Sequence, residues 1–393
     1  MSDFTQVREI VLMNLRSIPQ RLGASFVIVV GIGGVVGVLV AMLSMSSGLS
    51  KTLSATGQPD RAVILRGGSQ GSELASFMDR ASATLVKQDP AILRGPDGLP
   101  MASGEIIVIT EVPRPGDTVG ANVSLRGVEG KGFLMRPEVR LVEGRRFRPG
   151  LRELIVGDGA YRQFQGLDVG NTLRFRGQSW SIVGRFKSGD AHDSEIWTDL
   201  ETAQGAFRRT GVSSVIVKLT SPDAFEPLKA RLTSNPQLNV DVRTEREHFS
   251  AQSAGLVTAI GFVTAVVAVI MAFGALFGAL NTMYSAVSAR TAEIGTLRAL
   301  GFGSLPVVAS VMAEAMALSL AGGLLGAGIA YALFNGYSVS TMGGGFTQVA
   351  FNFAVTPALV VQGLVGALAI GFVGGLFPAL RAARLPVTEA LRG

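Results

Sequence analysis

The chain has no cysteine, two histidines in 393 residues, and a charged fraction of only 16%. Without cysteine there are no disulfides, no thiolate metal site and no cysteine nucleophile. Any histidine-dependent chemistry must use His192 or His248. No G-x-x-x-x-G-K-[ST] occurs, so no phosphate-cradling loop for ATP is read in these residues. A Lys/Arg block is missing too. The net charge of +6 comes mostly from Arg scattered through a mixed-charge region, which excludes a nucleic-acid binder.

What is present is apolar. The hydrophobic fraction is 48% and there are 50 glycines, the composition of packed membrane helices. Residues 1–23 are polar and amphipathic and predict a helix lying on the membrane surface, broken near Pro19. Residues 24–45 form an uncharged run of about 22 residues, enough to span about 30 Å of hydrocarbon and too long for a cleaved signal peptide. Residues 46–250 are a large polar domain. Strands are expected at Ala62–Leu65, Glu105–Val112, Asn122–Val128, Glu153–Val156 and Val212–Leu219, with a hairpin turning at Arg176-Gly177-Gln178. A Pro-led helix after Ser221, between Val215–Leu219 and Leu238–Val242, makes a β-α-β unit. Residues 251–287 form a second apolar helix longer than a bilayer needs, extended outward as a stalk. Residues 304–335 and 358–380 are two further spans. Residues 336–357 between them are an uncharged loop, and 381–393 are a short tail.

The fold class is thus a membrane protein of four transmembrane α-helices, with a large mixed α/β extracytoplasmic domain between helices 1 and 2. Arginine placement sets the orientation. Arg8, Arg16 and Arg21 precede the first span, Arg290 and Arg298 separate the second from the third, and Arg381, Arg384 and Arg392 follow the fourth. The positive-inside rule then puts both termini and residues 288–303 in the cytoplasm.

That central stretch, SARTAEIGTLRALGFG, carries Arg290, Glu293 and Arg298 as its only charges. Ile294, Leu297 and Leu300 recur at helical spacing, and Gly301 follows as a C-cap. It reads as an amphipathic helix offering an apolar stripe to a partner, with Arg290 able to pair with Glu293. Glu314 is the one carboxylate inside an apolar run. It is either a helix–helix hydrogen bond or a site of proton or substrate chemistry. Small-residue faces for close helix packing occur at Gly33–Gly37, Gly274–Gly278, Gly322–Gly326 and Gly371–Gly375. Gly67–Gly71 fits G-x-S-x-G around Ser69, but this pattern needs a strand, a helix, an acid and a histidine around it. A Gly-rich turn is the plainer reading. Asp190, His192, Asp193 and Glu195 form either a solvated acidic loop or a metal site.

Three stretches resemble the MacB/FtsX-type ABC transporter permeases. NTMYSAVSARTAEIGTLRALG (281–301) is similar to the family's coupling helix and its approach. Glu314-Ala315 with LSLAGGLLG to Gly326 resembles the third helix, and GLFPALRAARLPVTEAL (375–391) the C-terminal signature. The polar domain is similar more loosely, through SLRGVEG, LVEGRRF, ELIVGDGAY and VGNTLRFRGQSWSIVGRF. FtsX itself has a smaller external domain, and MacB carries its nucleotide-binding domain in one polypeptide. The resemblance therefore implies a non-catalytic permease in a bacterial inner membrane, served by a separate cytoplasmic ABC ATPase dimer that binds ATP and Mg; this chain holds no cofactor and no metal. It implies mechanotransmission: coupling-helix motion at Arg290, Glu293, Ile294, Leu297, Arg298, Leu300 and Gly301 moves the periplasmic domain. A second permease copy or paralogue and membrane lipid are further partners, and a periplasmic adaptor with an outer-membrane channel is one route onward. Lipoprotein release, regulation of a cell-wall hydrolase, and a membrane-anchored serine hydrolase are the alternatives.

Overall fold

A computed structural model describes residues 8, 11, 13, 22–114, 120–300, 302–342 and 348–384. Most of the pre-membrane segment, Gly301, the Leu297 side chain and the tail beyond Arg384 lie outside the described residues. The chain divides into two compact units. One comprises Gly48–Thr258 and Ser338–Asn352, the other Met1–Ser47, Ala259–Tyr337 and Phe353–Gly393.

The first unit is built on a ten-stranded mixed sheet. Its order is β10-β1-β9-β2-β3-β8-β5-β7-β4, with β6 paired to β7. The strands are β1 (Arg61–Arg66), β2 (Ala102–Val112), β3 (Ala121–Val128), β4 (Arg140–Gly144), β5 (Glu153–Gly157), β6 (Thr172–Phe175), β7 (Gln178–Lys187), β8 (Glu195–Asp199), β9 (Ser214–Lys218) and β10 (Val240–Thr244). Central strands such as AVIL in β1 and EIIVI in β2 are near-continuous apolar runs, as expected for strands covered on both faces. The covering helices are α2 (Arg80–Lys87), α3 (Gly130–Met135), α4 (Asp158–Gln163), α5 (Leu200–Phe207) and α6 (Phe225–Ser234). Asp79 and Asp199 start α2 and α5 by accepting hydrogen bonds from Ser82 and Thr202 backbone N–H. The β6–β7 hairpin turns on Arg176 and Gly177, both at positive φ, the two-residue geometry whose twist matches that of the strands. In the expected β-α-β unit, β1 lies between β9 and β10, antiparallel to both.

Within the uncharged segment 336–357, the described residues include two short strands. Ser338–Met342 (β11) and Gln348–Asn352 (β12) form an antiparallel hairpin belonging to the α/β unit. Ala350 N–H donates to Ser194 Oγ at 2.8 Å, and the Ala350 methyl packs over Gly159.

The second unit is helical. Among the described residues, four helices are long and apolar enough to cross a membrane: α1 (Leu22–Ala55), α7 (Glu245–Ala289), α9 (Ser304–Phe334) and α10 (Pro357–Arg384). The unit boundaries fall inside α1 and α7. A short helix α8 (Thr291–Ala299) stands between α7 and α9. Ile28, Ile32, Val36 and Val40 of α1 share a buried cluster with Val307, Val311, Ala315 and Leu318 of α9 and Ala367 and Ala379 of α10. Glycines let these backbones approach. A Cβ on Gly326 would collide with the Gly33 carbonyl, and one on Gly322 would lie 2.8 Å from the Val29 carbonyl. One on Gly375 would sit 2.6 Å from the Ala315 methyl, and one on Gly371 would meet the Ser319 hydroxyl. The Gly33/Gly37, Gly322/Gly326 and Gly371/Gly375 pairs thus line helix contacts within the chain. Gly274 and Gly278 have nothing within 4 Å.

Candidate coupling site

The segment 288–303 resolves into the last turn of α7, a corner at Arg290, and the nine-residue α8, shorter than the expected helix. Arg290 closes both helices through its backbone. Its N–H reaches the Val287 carbonyl at 3.1 Å, and its carbonyl accepts from Ile294 N–H at 2.9 Å. Its side chain goes to α9. Nη1 and Nη2 donate to Oε2 and Oε1 of Glu314, each at 2.9 Å, a fork-to-fork pair that fixes orientation as well as distance. Glu314 is 4% exposed. Its partner is thus the corner residue between α7 and α8.

This geometry corrects two expectations for the segment. Arg290 does not present its charge outward, and both its terminal nitrogens go to Glu314 rather than to Glu293. A guanidinium in an apolar corner requires a buried partner, and Glu314 supplies it. Ile294 is 7% exposed and shares a buried cluster with Met283, Val287, Val307 and Val311, so it packs inward instead of offering an anchor. Leu300 is 72% exposed. Glu293 and Thr296 are exposed and Arg298 half-buried. Among the described side chains, α8 and its C-cap thus expose Ala292, Glu293, Thr296, Ala299 and Leu300.

The α/β unit holds a second set of buried charges. Arg126 of β3, 1% exposed, is bonded to Glu195 at 2.8 Å, to Glu105 at 2.8 Å and to Glu73 at 3.1 Å. Arg136 also reaches Glu105, at 2.6 Å. Arg61 pairs with Glu245 in the first turn of α7 and with Glu138. Burial pushes the Glu73 carboxyl up, but Arg126 and His248 outweigh it and leave it well below the usual range. Glu105 is likewise lowered, its burial overcome by Arg136 and Arg126. The root of α7 is packed by both histidines: the Phe249 ring lies 5.3 Å from His192 and 5.2 Å from His248. This network was missed. Its signal is a charge on neighbouring strands at positions sharing one face, since Arg126 sits opposite Ile107 and Trp197, two residues from Glu105 and Glu195.

The enzymatic and metal readings find other partners for their residues. The GDAHDSE stretch is not a solvated loop. Asp190 bonds His192, which is fully buried, and Asp193 accepts from Ser188 and Gly189 N–H. Glu195 begins β8 and accepts from Arg126 and from Trp197 Nε1. Ser69 is buried in a turn whose positive-φ residues are Gly68, Gln70 and Gly71, and the next helix begins only at Arg80. This is not the strand–nucleophile–helix elbow of a hydrolase.

Two family models match the chain: the MacB-like periplasmic core domain over residues 25–235 and the FtsX-like permease C-terminal over residues 265–387. The chain belongs to the MacB/FtsX-type ABC transporter permeases. The uncharacterized ABC transporter permease YknZ of Bacillus subtilis is 25% identical over 96% of this chain and 95% of its own. The macrolide export ATP-binding/permease protein MacB of Vibrio parahaemolyticus is 31% identical over 52% of this chain and 31% of its own. Among solved structures, the periplasmic region of MacB from Actinobacillus actinomycetemcomitans matches 49% of this chain and 91% of its own, at 14% identity and a TM-score of 0.36. As a MacB/FtsX permease, the chain combines four candidate membrane helices with a periplasmic-type α/β domain between the first two.

Proposed function

We propose that this permease converts ATP hydrolysis by a separate cytoplasmic ABC ATPase dimer into motion of its periplasmic domain, and so exports or extrudes a substrate from the periplasm or outer leaflet. The observation that carries this reading is the run of α7. Its first turn holds Glu245, which is ion-paired with Arg61 inside the α/β unit, and its last residue, Ala289, adjoins the corner of α8. Its 45 residues exceed the roughly 20 that a bilayer needs, which suits a stalk. The membrane is then the bacterial inner membrane, with both termini and α8 on its cytoplasmic side. ATP and Mg belong to the partner. A second permease copy or paralogue completes the transporter, and an adaptor with an outer-membrane channel would carry substrate onward, in keeping with the macrolide export that names the MacB relatives.

The test is co-purification with the ATPase in nanodiscs. Leu300→Asp puts a charge on the exposed apolar contact of α8 and should release the ATPase while the α/β unit stays folded. Ala254→Pro kinks α7 at a cost of about 3 kcal/mol and should keep the ATPase bound but abolish transport. Normal transport in Ala254→Pro would rule out a stalk.

A further inference from the structure

The structure assigns Arg290 and Glu314 a positioning role: their buried bidentate pair is the rigid joint through which displacement of α8 reaches α7 and α9 together. This rests on the proposed docking of the ATPase on α8. The corner itself is one residue long, and Arg290 there has φ −108° and ψ 11°, outside both helices. The backbone bonds to Val287 and Ile294, and the burial of Ile294, seat α8 at this corner. The side chain adds an orientational constraint, because two parallel bonds fix the plane of the guanidinium against α9.

Met283, Val287, Ile294, Val307 and Val311 flank the pair beside a cavity of about 30 Å³ that Glu293 and Ser310 also line, room for one water. Arg290 and Glu314 are both buried, so separating them would leave each charge without its bidentate partner, and partly opened geometries are penalised. The same end of α7 is held from α10: the Arg381 guanidinium lies 5.6 Å over the Tyr284 ring, and Gly374 packs against Ala279. Farther along α7, Phe262, Ile270, Phe273 and Phe277 are exposed within the chain. The helix is therefore gripped at its coupling end, where the Arg290–Glu314 pair sits.

The experiment uses the full permease with its co-purifying ATPase in nanodiscs, exploiting the absence of native cysteine. Spin labels at Thr296→Cys on α8 and Ala321→Cys on α9, both exposed positions, report the joint. In the permease alone, the native pair should give one narrow distance distribution. Glu314→Gln and Arg290→Lys should broaden it, and the exchange Arg290→Glu with Glu314→Arg should narrow it again. In the complex, the two single variants should keep the ATPase bound yet lose about tenfold in the transport obtained per ATP hydrolysed, and the exchange should recover most of it. A narrow distribution with full coupling in Glu314→Gln would overturn the joint. So would loss of ATPase binding in the single variants without recovery on exchange, which marks a packing role. Retention of the ATPase by Leu300→Asp would instead count against docking on α8, and the label distances in the permease alone would still decide the joint.

Discussion

The α/β unit buries Arg61, Arg126, Arg136, Glu73, Glu105, Glu195 and Glu245, whereas Arg290 and Glu314 are the buried charges of the helical unit among the described residues. Glycine packs against backbone in both units, at Gly326 and Gly33 in the helical one and at Gly157 and Gly211 in the α/β one. The difference follows from the solvent each sequence is suited to. Apolar helices gain little by burying apolar surface away from lipid, so close approach of small residues carries their association. A water-facing sheet has apolar burial to draw on and can hold charges, provided each finds a partner. It follows that losing a charge should damage the fold in one unit and the coupling in the other.

The largest effect expected is that of Arg126→Ala. It leaves Glu73, Glu105 and Glu195 around an emptied site and should destabilise the α/β unit by about 3–5 kcal/mol, seen as a lowered unfolding midpoint. Glu314→Gln should move that midpoint little, and an equal drop in both variants would break the comparison. Next comes Gly326→Ala, whose methyl meets the Gly33 carbonyl and should cost about 1–3 kcal/mol of helical-unit stability. Gly274→Ala, with open space around it, should stay within about 1 kcal/mol of the native chain.

Smaller still is a pH effect confined to the α/β unit. Burial pushes the His192 imidazole down, but Asp190 overcomes this and raises its pKa above 6.5. Its stabilising contribution is therefore complete below 6.5 and is lost as pH rises through the raised value. Trp197, edge-on to His192 at 5.5 Å, should report the change by fluorescence, and His192→Gln should remove that pH dependence. Glu73 and Glu105 act in the opposite sense. Their contribution holds above 4.5 and is lost as pH falls through their lowered values. Ser194→Ala deletes the bond to Ala350 N–H and should cost about 1 kcal/mol, seen as faster proteolysis in the β11–β12 hairpin.

The spans and several strands were legible because each rests on local pattern. Uncharged runs mark α1, α7, α9 and α10, β-branched residues mark β1 and β2, and Arg176-Gly177 marks the β6–β7 turn. The partners of side chains were not legible, because they depend on contacts distant in sequence. Arg290 has Glu293 three residues away in sequence and pairs with Glu314, 24 away. Ile294 fits a helical stripe, yet periodicity cannot say whether that stripe faces a partner or the protein's own α9. The short β4 and β8 carry Arg, Glu and Asp, so composition concealed them, while pairing to β7 and β3 reveals them.

The central claim is that α8 is the cytoplasmic docking element. Its most direct measurement is a photo-crosslinker attached through Leu300→Cys in intact cells, with a membrane-impermeant thiol reagent applied from outside as control. The account predicts a crosslink to an ABC ATPase and no labelling from outside. Outside labelling, or crosslinks to lipid alone, would contradict it.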